Sequence, residues 1–146
     1  MRTCVPIMAA LLAAAGCGGP PEPGRARIEN PVVTLPAVPG RPGAAYFSIR
    51  TNRTARLAAV SSPAIGRIEL HESTSRGGMS RMGPLRDARL SPAAPMTFAP
   101  GGRHAMLFGI AQSVRVGQRV ALTFTFDGLP PVSVEADVRG PGDAGH

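Results

Sequence analysis

Two histidines and two methionines are the residues best placed for chemistry. His71 is followed by Met82 after ten intervening residues, by His104 after twenty-one more, and by Met106 two positions later. The His104-x-Met106 pair has a direct geometric meaning. In a strand, residues i and i+2 share a face with Cα atoms roughly 6.5–7 Å apart, so both side chains can reach one metal ion. His71 and Met82 complete a shell if their connection folds back over that end of the sheet. Imidazole and thioether together form a soft, charge-neutral donor set. It suits copper(I) better than magnesium or calcium, which take oxygen donors, or zinc, whose sites favour thiolate or carboxylate.

Each of these residues is ordinary when taken alone. A lone methionine is most often core filler, and Met96, close to Phe98, fits that role. Met79 follows Gly77-Gly78 in an expected turn near Met82 and can serve as an auxiliary or exchanging ligand. His71 alternates with Arg67 and Glu69, opposite Ile68 and Leu70, which puts it on a polar strand face. His146 is terminal and is given no role.

The compartment decides which donors are available. After Arg2, the apolar stretch Val5–Ala15 is too short to span a bilayer as a stable helix but suits the core of a signal peptide. It ends in Ala14-Ala15-Gly16-Cys17, which resembles a bacterial lipobox. Residues 1–16 are therefore expected to be a signal peptide, and Cys17 to carry lipid and anchor the protein to a membrane. Loss of residues 1–16 removes Cys4, leaving Cys17 as the only cysteine. The domain then has no disulfide and no thiolate ligand, so a soft metal must be held by thioethers. Thioethers form no disulfides in an oxidising compartment, although methionine itself can be oxidised.

All sixteen positive residues are arginine, and the formal net charge is +7. A basic chain invites a nucleic-acid reading. Export argues against it, as does the scatter of single arginines from Arg25 to Arg139. One tyrosine, five phenylalanines and no tryptophan provide no stacking platform. The expectation is no nucleic-acid partner and a solvated arginine-rich surface.

The elements that must position the donors read as short strands. Residues 17–43 are rich in glycine and proline, as expected of a tether, and residues 27–35 can add an edge strand, where prolines are tolerated. Beyond them the pattern predicts strands over Ala44–Arg50, Arg56–Ser61, Gly66–His71, Arg81–Leu85, Pro95–Ala99, Arg103–Ile110, Arg119–Phe126 and Pro131–Val138. Alternation is clearest in the last two; Val132, Val134, Ala136 and Val138 are apolar with polar residues between them. No segment combines helical period with caps. Short strands with glycine and proline punctuation predict a single all-β sandwich or barrel domain over residues 44–139, with a flexible tail at 140–146. The protein is expected to be a monomer.

The spacing H-x10-M-x21-H-x-M, carried by His71, Met82, His104 and Met106, resembles the periplasmic copper chaperones of the PCu(A)C family. Ala44-Ala45-Tyr46-Phe47-Ser48-Ile49, Ile68-Glu69-Leu70-His71-Glu72, Pro100-Gly101-Gly102-Arg103-His104-Ala105-Met106-Leu107 and Val120–Phe126 are similar to its segments in the same order. The resemblance covers Ala44 to Val138. It implies a cupredoxin-like, Greek-key β-sandwich with one exposed copper(I) site. It also implies delivery of copper for cytochrome oxidase assembly, with a Sco-type protein or an oxidase subunit as partner. Three features depart from the family: Glu72 stands where methionine is frequent, the upstream methionine is shifted to Met79, and the N-terminal strand lacks a tryptophan.

An enzyme is not expected. His71-Glu72 begins like HExxH, but Ser75 occupies the position of the second histidine, and no serine sits in G-x-S-x-G. Blue-copper electron transfer needs a cysteine thiolate that the domain lacks. The remaining alternatives are a copper-sequestering or copper-sensing lipoprotein, and a scaffold domain without metal.

Overall fold

The computed structural model describes residue 19 and residues 21–143. The expected signal peptide, Cys17 and His146 lie outside the described residues. Among the described residues ten strands follow one another: β1 Ala26–Thr34, β2 Gly43–Thr51, β3 Ala55–Ser61, β4 Ile65–Arg76, β5 Met79–Pro84, β6 Arg89–Leu90, β7 Met96–Phe98, β8 Arg103–Ile110, β9 Arg119–Asp127 and β10 Val132–Arg139. Hydrogen bonding runs in the order β5-β4-β8-β2-β1-β10-β9-β3-β6, and β7 also pairs with β2. Among the described residues there is no helix, and the all-β expectation holds.

The period-two pattern builds the core. Ala45, Phe47 and Ile49 of β2, Leu107 of β8, Val120, Leu122, Phe124 and Phe126 of β9, and Ala136 and Val138 of β10 are buried, with more exposed residues between them. Phe47 meets Phe124 edge-on with ring centroids 4.8 Å apart. It also stacks on Phe98 at 4.5 Å. In the hydrogen-bonded order β2 and β9 are separated by β1 and β10. Their rings touch because the sheet folds over and presents its apolar faces to each other. Each buried Val, Leu, Ile or Phe side chain among them contributes about 1.5–3 kcal/mol through burial. Met96 is buried among these residues, as core filler.

The N-terminal segment differs from the expectation. β1 is an interior strand, antiparallel to β2 and parallel to β10, not an edge. Pro31 is accommodated by a bulge, where the register shifts between Glu29 and Val32 and Asn30 adopts φ 50°. Asparagine tolerates that left-handed conformation better than most residues, and the bulge leaves the proline out of the ladder. The folded unit therefore begins at Ala26 rather than Ala44. Even the preceding residues are pinned. Arg25 N donates to Asn52 Oδ1 (2.8 Å), Asn52 Nδ2 to the Pro23 carbonyl (3.0 Å), and the Arg53 guanidinium to the Glu22 carbonyl (2.7 Å).

β4 also runs further than expected. It continues past His71 to Arg76 and returns as β5 through Gly77-Gly78, with Arg76 opposite Met79. The two glycines have φ of 57° and 79°, the positive pair that a two-residue hairpin turn of the right twist requires. This β4–β5 ribbon sets the position of Met82.

Candidate metal centre

Three adjacent strands, β5, β4 and β8, carry the four expected donors on one face. Register places His71 directly opposite His104, Glu69 opposite Met106, and Arg67 opposite Phe108. On the other side of β4, His71 faces Pro84 and Ser73 faces Met82. Direct partners in an antiparallel pair share a face, so His71, Met82, His104 and Met106 all project from the same side. The complementary positions Ile68, Leu70, Ala105 and Leu107 turn to the core.

The turn before β8 orients His104. Gly101 holds φ 81°, and the Ala99 and Gly102 backbones close the turn through Gly102 N to Ala99 O (3.1 Å) and Ala99 N to Arg103 O (2.8 Å). The Gly102 carbonyl then accepts from Ser73 N (3.2 Å) and from His104 Nδ1 (3.0 Å). A carbonyl can only accept, so Nδ1 carries the hydrogen; in the neutral tautomer that leaves Nε2 with a lone pair. That Nε2 lies 2.9 Å from Sδ of Met82. The thioether has no hydrogen to give. In that tautomer two lone-pair donors face each other, an arrangement that a shared electrophile satisfies.

His71 stands across the strand pair, its ring centroid 6.0 Å from that of His104. Its side chain is only 18% exposed, and Nε2 contacts Glu69 Oε2 at 3.2 Å. Nδ1 is buried and has no hydrogen-bond partner among the described residues. The second Glu69 oxygen takes the Arg67 Nε hydrogen at 2.9 Å, and the Arg67 guanidinium lies 4.5 Å above the Phe108 ring. Phe108, Arg67, Glu69 and His71 therefore form a continuous chain of support along the β4–β8 rungs. The alternation had placed Arg67 and Glu69 on the face of His71; their role as its buttress depends on the pairing with β8.

Of the expected donors, the structure brings His71, Met82 and His104 together, and sets Met106 on the same face two residues along β8. Met79 lies three residues from Met82 on β5, an odd separation that directs it to the reverse face, opposite Arg76. Glu72, one residue after His71, also belongs to that reverse face, opposite Arg103. Among the described residues no group of three or more His, Cys, Asp or Glu converges in the way a hard-metal site requires. Tyr46 is half-buried on β2, and burial pushes its hydroxyl pKa up, keeping the phenol neutral.

A family described as "Putative lipoprotein LpqE-like" matches residues 26–138. The chain is 32% identical over 84 residues to a protein of Leifsonia xyli subsp. xyli named as a putative lipoprotein, covering 56% of this chain and 51% of the relative. It is 32% identical over 87 residues to an uncharacterized protein of Rickettsia prowazekii, covering 58% and 48% respectively. The match thus spans about half the length of these curated relatives. Among solved structures, the copper-bound PCuAC domain from PmoF2 aligns with a TM-score of 0.65 at 24% identity, over 80% of this chain and 93% of that domain. Copper(I)-bound DR1885 from Deinococcus radiodurans aligns with a TM-score of 0.59 at 23% identity, over 90% and 87%. The strand pairing, the core and these likenesses agree: the chain belongs to the LpqE-like lipoprotein family and has the cupredoxin-like fold of a PCuAC domain.

Proposed function

We propose that this protein is an exported copper(I)-binding metallochaperone. His71, Met82, His104 and Met106 would hold the ion, which is its cargo. The observation that carries this reading is the approach of His104 Nε2 to Met82 Sδ at 2.9 Å, with His71 on the neighbouring rung. A neutral, soft donor set favours a monovalent soft cation over harder divalent ions. The PCuAC fold, seen in a copper-bound domain, supports the same choice.

Delivery fits the site better than storage. Met82 is 58% exposed and lies on the edge strand β5, so an acceptor can reach the ion and displace this ligand first. A store gains by enclosing its metal. Cytochrome oxidase assembly, with a Sco-type protein or an oxidase subunit as recipient, is the destination we assign. Lipidation at Cys17 would hold the protein on the membrane at the periplasmic side, in keeping with the lipoprotein family. The test is titration of the purified protein with copper(I) against a chromophoric chelator, followed by mixing with an apo acceptor of the Sco type. The reading expects one equivalent bound and then passed on. Retention of copper in the presence of the acceptor would favour sequestration.

A further inference from the structure

The β4–β5 ribbon has a second face that the metal site does not use. Glu72, Thr74 and Arg76 of β4 lie there opposite Gly83, Arg81 and Met79 of β5. A groove on this side is lined by Arg76, Arg81, Arg86, Glu72, Met79 and Met82, among others. Met82 contributes to both sides because β5 is an edge strand and the side chain is long and exposed.

The charges in this groove are unbalanced. Three guanidiniums face one carboxylate, and no side chain of Arg76, Arg81, Arg86 or Glu72 makes a hydrogen bond or ion pair with any described residue. Elsewhere four arginines have a carboxylate partner: Arg25 has Glu22, Arg50 has Glu29, Arg67 has Glu69 and Arg119 has Asp137. Other arginines among the described residues are also without one, but only here do three such guanidiniums line one groove. Uncompensated like charges raise the energy of the isolated protein and attract anions. The groove is apolar as well as cationic. Met79 and Met82, at 64% and 58% exposure, are two of the four large hydrophobic side chains that are exposed among the described residues. Exposed methionine beside arginine is the composition of a protein-binding surface, where both are enriched and lysine is depleted.

We propose that this groove docks an acidic protein segment, and that the docked segment draws copper through Met82. The docking half stands on charge and composition alone; the transfer half rests on the copper reading above. Because Met82 belongs to both the donor face and the groove, a partner seated here touches a ligand of the ion.

The probe is a synthetic peptide with two methionines and a histidine flanked by glutamates, and a control with glutamine in place of each glutamate. Its binding to the metal-free protein is followed by fluorescence anisotropy, in wild type and in the triple variant R76Q/R81Q/R86Q. The glutamate peptide should bind the wild type, weaken about tenfold or more in the variant, and weaken as salt is raised. The glutamine peptide should bind both proteins equally poorly. Copper release to the glutamate peptide should slow by a similar factor, while the variant's copper(I) affinity against a chelator stays unchanged. Equal peptide binding by wild type and variant overturns the proposal. So does binding to phosphatidylglycerol vesicles with none to the peptide, which would make the groove a lipid surface. If the protein takes up no copper, the function proposed above fails, whereas the metal-free measurement still decides the docking.

Discussion

His104 Nε2 and Met82 Sδ lie 2.9 Å apart although twenty-two positions separate them in the chain. The contact spans three strands. β8 carries the imidazole, β4 lies between, and β5 folds back over the Gly77-Gly78 turn to bring the sulfur to it. Its chemistry follows from the Gly102 carbonyl, which takes the Nδ1 hydrogen and leaves Nε2 as a donor of electrons.

Replacing His104 by alanine should therefore lower copper(I) affinity by more than about 100-fold. Loss of a mere supporting residue around a metal costs about 10–100-fold, and a direct ligand should exceed that. The variant should keep the wild-type circular dichroism spectrum, because His104 projects from the core rather than into it. Chelator competition measures the affinity.

Glu69 buttresses His71 without belonging to the donor set. Glu69→Ala should reduce copper(I) affinity about tenfold, the low end of the range for supporting residues, because the imidazole loses its fixed orientation. Stability should fall by under about 1 kcal/mol, since its ion pair with Arg67 and its contact with His71 are partly exposed. Chelator competition alongside urea denaturation separates the two effects.

The hairpin turn offers a test remote from the donors. Gly78→Val forces a β-branched residue to φ 79° and should cost about 1–2 kcal/mol or unpair the ribbon end. Because the ribbon sets Met82, copper affinity should drop while the core strands persist. Hydrogen exchange should show faster amide exchange at Ser80 and Arg81 than in the wild type, with β9 unchanged.

The core makes the opposite case. Phe124→Ala removes a fully buried ring packed edge-on against Phe47 and should destabilise the protein by about 3–5 kcal/mol. Urea denaturation should show the midpoint shifted without loss of cooperativity.

The strands with one face in the core were legible in the residues themselves. β9 and β10 alternate cleanly because Val120, Leu122 and Phe124, and likewise Ala136 and Val138, must all reach the same interior. His104-x-Met106 was legible for a related reason, since strand geometry alone puts both on one face. β1 was not, because Pro31 speaks against an interior strand and only the Asn30 bulge reconciles the two. The outer half of β4 was equally hidden. Ser73-Thr74-Ser75-Arg76 has no apolar period to read, because the ribbon pairs with β5 beyond the core. β6 is only two residues long and carries no pattern of its own. The Glu69 buttress required the β4–β8 register, which no local pattern contains. Strand parity separates Met79 from Met82: Met79 pairs with Arg76 on the reverse face, and Met82 pairs with Ser73 on the face of His71.

The most direct test of the central claim is X-ray absorption spectroscopy at the copper edge on the copper(I)-loaded protein, comparing wild type with Met82→Ala. The site described here predicts a monovalent edge, with two imidazole nitrogens and two sulfurs as scatterers, and one sulfur fewer in the variant. A first shell without sulfur, or one that Met82→Ala leaves unchanged, would contradict it.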